Sequence, residues 1–287
     1  MPIEVENLSY TYMPESTQSV AALQGINLRI ADGEFVGIMG RTGSGKSTLI
    51  QLLAGLLTPT RGRVLLDGRD IAAKDYDRSI LRRTVGIVFQ YPEYQLFETT
   101  VAKDVAFGLK HSGLNHVEVT SRVRKALEIM GFDYDKIHNQ SPLALSGGEK
   151  RRVAIAGVLA VQPKILIFDE PVAGLDPQGR YSFMQLTARL HQGGTTIIMV
   201  SHNTDVLSEY TERLVVLEHG QIALEGLTKD VFMQLPTHDH LPVAMSTAQE
   251  IAYMLAARGM NLPQGIITYD DLLFALKAKL GGGEEAP

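Results

Sequence analysis

The sequence predicts an α/β fold: a mainly parallel, buried sheet with a helical lobe inserted into it and a small helical unit appended after it. Three observations predict this. Four short apolar runs, at 35–39, 165–168, 195–200 and 214–217, have the character of strands covered on both faces. Helical patterns alternate with them, as parallel strands require. At Leu235-Pro236-Thr237-His238 the composition shifts, and beyond it only helical patterns follow.

The elements follow in chain order. Residues 3–12 alternate and read as an edge strand, before a Pro/Ser/Thr-rich loop over 14–19. Residues 22–30 form a second strand, turning at Asp32-Gly33 into the apolar run 35–39. A glycine-rich loop over 40–47 leads into a helix carrying Leu49, Ile50, Leu52, Leu53 and Leu56, and 64–66 and 85–89 are further short strands. From Gln90 to Leu143 the pattern turns helical and polar, most clearly at 117–130, which marks the inserted lobe (about 91–160). After the buried strands, residues 247–257 are an amphipathic helix with Ala248, Ile251, Ala252 and Leu255 on one face. Residues 269–280 are another, opened by Thr268 with Asp271 three residues on as a capping box. The predicted division is a main domain over 1–235, a helical dimerisation unit over 236–280, whose apolar faces are expected to pair across a dimer, and a disordered tail over 281–287. The methionines, Met184, Met199 and Met254 among them, are expected to fill core gaps.

Composition narrows the chemistry. The 287 residues carry a formal charge of −5, which offers no electrostatic footprint for nucleic acid. With no cysteine, disulfides, thiolate metal sites and cysteine nucleophiles are excluded. The first residues lack the pattern of a signal peptide, and no apolar run is long enough to span a bilayer.

Gly40-Arg41-Thr42-Gly43-Ser44-Gly45-Lys46-Ser47, followed by Thr48, matches the phosphate-loop pattern G-x-x-x-x-G-K-[ST]. Glycines allow successive backbone N–H groups to curl around phosphate oxygens, and the helix that follows points its positive end at the same anion. Lys46 would meet the β- and γ-phosphates of ATP, and the Ser47 hydroxyl would ligate Mg²⁺. The apolar strand 165–168 ends in Asp169-Glu170. Asp169 at a strand tip suits Mg²⁺, and Glu170, expected to face the other way, suits a general base acting on water. His238-Asp239-His240 could hold a metal, but a linker histidine pair is far more often solvated.

Leu145-Ser146-Gly147-Gly148-Glu149, running into Lys150-Arg151-Arg152-Val153, supplies a second helix-start anion cradle. With this motif the sequence, over about 3–235, resembles the ATP-binding-cassette (ABC) ATPases, whose signature it is. The resemblance implies a P-loop NTPase cassette: a mixed sheet core with an antiparallel β edge and an inserted helical lobe. It identifies Gln90 with the Q-loop glutamine and a Mg²⁺ ligand, Ala173-Gly174-Leu175-Asp176 with the D-loop, His202 with the switch histidine and Tyr12 with the aromatic that stacks on adenine. It further implies two cassettes packed head to tail, each signature serving the other's ATP. Glu149 departs from the commoner glutamine, and its charge would be offset by residues 150–152.

The spacing leaves no room for the long coiled coil of repair-type cassettes, and there is one cassette, unlike the two of translation-factor types. Residues 89–97, with Tyr94, Gln95, Leu96 and Phe97 as scaffold contacts, are similar to energy-coupling factor (ECF) transporter ATPases, closest to the second of their two ATPase subunits, as are 151–160 and the C-terminal helices. That family imports vitamins and cobalt or nickel. The resemblance implies an ATPase on the cytoplasmic face of the membrane, with a second ATPase subunit (identical or related), a transmembrane scaffold and a substrate-specific membrane component as partners. A cassette of another importer or exporter, and a soluble cassette without a membrane partner, remain alternatives at this point.

Overall fold

In a computed structural model the described residues are 1–110, 112–238, 241 and 243–280; the tail predicted over 281–287 and the Asp239-His240 part of the histidine pair lie outside them. The apolar runs become the strands of a six-stranded sheet. Strands β3 (Phe35–Met39), β6 (Val85–Val88), β7 (Ile165–Asp169), β8 (Thr196–Val200) and β9 (Arg213–Glu218) run parallel in the order β9-β3-β8-β7-β6. Strand β10 (Gln221–Leu227) closes the β9 edge antiparallel. Its alternating polar pattern had given it no signal as a buried strand.

Both faces of this sheet are covered, which is why its strands are apolar throughout. Ile165, Ile167, Ile198 and Val200 point into one core, shared with the helices α1 (Lys46–Leu53) and α2 (Arg78–Thr84) and a second sheet. Leu166, Phe168, Ile197 and Met199 point into the other, shared with α3 (Val101–Ala106), α4 (His116–Ile129), α5 (Tyr134–Ile137), α6 (Gly147–Ala160) and α7 (Pro177–Gln192). The second sheet is antiparallel, with β1 (Ile3–Tyr12), β2 (Val20–Ile30), β4 (Arg61–Leu66) and β5 (Arg69–Asp70) in the order β2-β1-β4-β5. Strand β1 is therefore not an edge strand: it pairs on both sides, with β2 and β4. Alternation reports which face of a strand is buried and is silent about its edges.

Two apolar residues also fall outside their expected places. Helix α1 stops before Gly55, whose φ is +67°, so Leu56 is 55% exposed beyond its end. Met254 is 64% exposed, whereas Met184 and Met199 are buried as expected.

Helix α8 (Thr204–Tyr210), before β9, and α9 (Thr228–Gln234), after β10, pack together around Phe232, Leu207 and Val216. The linker starts as a 3-10 turn, Leu235–Thr237, with Leu235 buried against them. The helices α10 (Thr247–Ala257) and α11 (Tyr269–Leu280) hold a small core of their own around Ala248, Ile266, Leu272 and Ala275. Thr268 and Asp271 form the expected cap: Asp271 N–H donates to Thr268 Oγ1 at 3.1 Å, and Asp271 Oδ2 accepts Thr268 N–H at 3.2 Å. No helix among the described residues is long and apolar enough to cross a membrane.

Candidate nucleotide site

Strand order builds the site. Four neighbouring parallel strands, β3, β8, β7 and β6, all end on one side, and each is followed by a predicted site residue. The glycine-rich loop follows β3, Ser201-His202 follows β8, Asp169-Glu170 ends β7 and Gln90 follows β6. Their common exit is where open α/β sheets bind ligands.

Of these, Gln90, Asp169, Glu170 and His202 line one cleft of about 680 Å³ with Tyr12 and the loop residues Thr42, Gly43, Gly45, Lys46, Ser47 and Thr48. The loop requires its glycines for different reasons. At Gly40 (φ +146°) a Cβ would lie 2.2 Å from the Leu217 carbonyl oxygen, and at Gly45 (φ +103°) 2.6 Å from that of Ala22. Gly43 (φ +83°) has open space around it, so there the backbone angle alone selects glycine. Lys46 is buried, and its Nζ donates to the Gly40 and Arg41 carbonyls at 2.7 and 2.8 Å. Arg41 and Ser44 also line a second, smaller cavity of about 160 Å³ behind the loop, against Leu241 and Val243.

Tyr12, at the end of β1, reaches Thr48 Oγ1 with its hydroxyl at 3.2 Å and stands edge-on to Tyr10 with ring centroids 4.8 Å apart. It is half-exposed at the cleft mouth, where an adenine could stack.

The carboxylates do not diverge as expected. A strand would turn Glu170 away from Asp169, but the chain leaves β7 at Glu170 with φ +49°, and both line the cleft. Glu170 N–H donates to the Val200 carbonyl at 2.9 Å, locking the turn to β8. Glu170 Oε2 accepts from Ser201 Oγ at 3.4 Å and from His202 N–H at 3.3 Å. Its Oε1 is buried and accepts no hydrogen bond, with His202 Nε2 3.5 Å away.

Burial pushes the Glu170 carboxyl above its ordinary value and Asp169 likewise, although Lys46 and a hydrogen bond from Ser47 pull Asp169 down. Burial pushes the Lys46 ammonium down, opposed by the charges of Glu170 and Asp169. The result is a desolvated cation beside two carboxylates of raised proton affinity, a combination typical of reactive sites.

The donor set fits a hard divalent cation. Ser47 and Asp169 already share a hydrogen bond, and the Gln90 amide lines the same cleft. All three offer oxygen, as Mg²⁺ prefers. Among the described residues no cluster of three His, Asp or Glu exists that could hold a metal. A cation here would therefore draw its remaining ligands from phosphate and water.

The other predicted residues stand apart from this cleft. Leu145 is buried, and Ser146 caps α6 by accepting the Glu149 N–H at 3.4 Å. Its hydroxyl is not free, since it donates to Glu149 Oε2 at 2.7 Å. This bond holds the Glu149 carboxyl below its ordinary value, with help from the Arg152 charge. Arg151 does not help offset Glu149: it is buried and donates to the Pro171 carbonyl and, at 2.9 Å, to that of Ala173. It fastens the start of α6 to the loop after Glu170. Arg151 stands in the basic run 150–152, and nothing in the sequence singles it out from its neighbours for that task. Asp176 caps α7 through the Gly179 N–H at 2.7 Å. Gln95, Leu96 and Phe97 line a separate groove of about 350 Å³ with Asp104, Phe107 and Val158, and Tyr94 is 85% exposed beside it.

Comparison with known proteins agrees with this arrangement. Residues 23–173 match the family described as ABC transporter. The energy-coupling factor transporter ATP-binding protein EcfA2 of Clostridium perfringens is 45% identical over 277 residues, covering 96% of this chain and 97% of that protein. The EcfA2 of Symbiobacterium thermophilum is 43% identical over 286 residues, covering 100% of this chain and 99% of that protein. Among solved structures, cbiO1 from Clostridium perfringens, part of the ABC transporter complex cbiONQ, superposes with a TM-score of 0.71 at 38% identity, covering 90% of this chain and 96% of that one. The ATP-binding cassette MJ0796, in a dimeric post-hydrolysis state bound to ADP and Pi, has a TM-score of 0.70 at 32% identity, covering 79% of this chain and 98% of that one.

Proposed function

The chain belongs to the ABC transporter ATPases, in the line of the energy-coupling factor ATP-binding proteins, and from that membership we propose how its residues do their work. It is an ATP-hydrolysing subunit of an ECF-type importer. The observation that carries the assignment of roles is the meeting of Lys46, Asp169, Glu170 and His202 in one cleft.

ATP enters with its triphosphate along the loop 40–47 and its adenine toward Tyr12. Lys46 exchanges the Gly40 and Arg41 carbonyls for β- and γ-phosphate oxygens, and the loop N–H groups take the rest. Ser47, Asp169 and Gln90 would hold Mg²⁺, which when bound neutralises charge developing on the phosphate oxygens. Glu170, ionised and of raised proton affinity, accepts a proton from the attacking water at Oε1, the oxygen without a hydrogen bond. Ser201 and the His202 N–H fix its other oxygen, and the His202 ring stands ready to donate toward the γ-phosphate. The signature 145–149 lies outside this cleft and serves the ATP of a second cassette, so the hydrolytic unit is a dimer. The dimeric state of MJ0796 and the outward side chains of Tyr253, Met254, Leu273 and Phe274 in the C-terminal unit support pairing.

We also propose that the groove beside Phe97 receives a transmembrane scaffold at the cytoplasmic face of the membrane. A separate membrane component would select the cargo, a vitamin or a transition-metal ion. The test of the hydrolytic assignment is Glu170→Gln. Turnover should fall about a hundredfold or more while ATP affinity, measured by equilibrium titration, stays unchanged. Undiminished hydrolysis would remove Glu170 from the role of base.

A further inference from the structure

Asp205 lies in the first turn of α8, three residues beyond His202. An acid at a helix start is ordinarily explained by the helix dipole. Here the carboxylate is directed out of the helix. Its Oδ1 accepts the Thr247 N–H at 2.7 Å, and its Oδ2 accepts the Thr247 hydroxyl at 2.8 Å and the Tyr269 hydroxyl at 3.3 Å. Thr247 is the first residue of α10 and Tyr269 the first of α11, so one side chain holds the leading ends of both C-terminal helices. Beside it, Thr204 Oγ1 donates to the Met245 carbonyl at 3.0 Å.

The same helix start is also fastened to the cleft. Asn203 caps α8 by accepting the Val206 N–H at 3.0 Å, and its own N–H donates to Ser201 Oγ at 3.0 Å. Ser201 and His202 both donate to Glu170 Oε2. Leu207 is fully buried with Leu241 and Ile267, which come from the C-terminal chain. With adjacent residues 203–205 tied to the cleft on one hand and to the C-terminal helices on the other, this helix start has little freedom to shift against one without the other.

We propose that Asp205 is a positioning residue that couples the C-terminal helical unit to His202. The placing of α10 and α11 sets the placing of α8, and through it the distance between His202 and the γ-phosphate. A second cassette that pairs with the C-terminal unit thereby acts on turnover by a route separate from its own signature. This deepens the reading of Glu170 and His202 as the hydrolytic pair and rests on it.

The experiment compares Asp205→Ala, Asp205→Asn, His202→Ala and the double variant Asp205→Ala/His202→Ala in the full chain, by steady-state hydrolysis over a range of ATP concentrations. Asp205→Ala should lower kcat about tenfold or more with KM for ATP nearly unchanged, since a misplacement of about 1 Å can cost up to 10²-fold. Asp205→Asn, which keeps one acceptor oxygen for the Thr247 N–H, should recover most of the loss. In the His202→Ala background Asp205→Ala should cost nothing further. A full extra loss in that background, an unchanged kcat, or an equal rise in KM would overturn the coupling. If Asp205→Ala does not fold, Thr247→Val removes one hydroxyl donor alone and should lower kcat less, in the same direction; an unchanged kcat there counts against the proposal. If His202→Ala itself hydrolyses ATP at the normal rate, the fault lies with the role of His202 instead.

Discussion

Glu170 shows how a single residue departs from its local rule to become useful. A strand residue following Asp169 should point to the opposite face, and the sequence predicts that it does. The left-handed turn at φ +49°, bound to β8 through the Val200 carbonyl, turns it back into the cleft. Such backbone angles are costly for non-glycine residues and collect at functional sites. Burial raises the proton affinity of Glu170 and the His202 N–H opposes it, while the Ser201 hydroxyl donates to the same oxygen at 3.4 Å. Burial raises the carboxyl, so the rate should fall as pH drops through a value above the ordinary glutamate range, where Glu170 takes up its proton. Ser201→Ala removes a bond that favours the ionised form. It should move this acid limb to higher pH in a kcat profile, and a shift to lower pH would contradict the role assigned to Ser201.

At the scale of elements, the buried strands and the two C-terminal helices were legible because their patterns report burial directly. The bounds of 247–257 and 269–280 are those of α10 and α11. The pairing of β1 on both edges and the strand β10 were not, because hydrogen-bonded edges leave no mark in hydropathy. The nucleotide cleft was legible as a set of motifs, and strand order supplied what motifs lack, their common position. Asp205 and Arg151 were not, since each acts through long-range hydrogen bonds to residues far along the chain. The groove over 95–97 depends on two local hydrogen bonds: Asp104 Oδ2 accepts the N–H groups of Phe97 and Glu98 at 3.1 and 2.8 Å, and so shapes the loop that leaves Phe97 against Phe107, 64% exposed. Exposed side chains contribute little to folding, within about 0.5 kcal/mol. Phe97→Asp should therefore leave thermal stability and ATP affinity unchanged while abolishing co-purification with a membrane scaffold. Retained co-purification would show that the scaffold docks elsewhere.

For the whole molecule, the decisive residues are two glycines that this chain's own packing does not need. Gly147 and Gly148 have no positive φ, and a Cβ built on either meets nothing within 4 Å. In the first turn of α6 an ordinary side chain would even favour the helix, by up to about 1 kcal/mol for alanine. Gly40 and Gly45 differ, because there a Cβ would strike backbone carbonyls. Glycines from which the fold gains nothing leave the backbone open to close approach from outside. In a head-to-tail dimer that would be the triphosphate held by the partner's loop. Ser146 and Glu149 then act by keeping the capping box formed, so that the N–H groups of this turn stay aligned toward the partner. Gly148→Val should consequently leave the unfolding temperature and the ATP affinity of the single chain nearly unaltered. Hydrolysis should fall by about a hundredfold, and the ATP-driven association of a Glu170→Gln background, followed by sedimentation, should be lost. Normal hydrolysis by Gly148→Val would mean that one chain completes its own site, and the dimer would cease to be the catalytic unit.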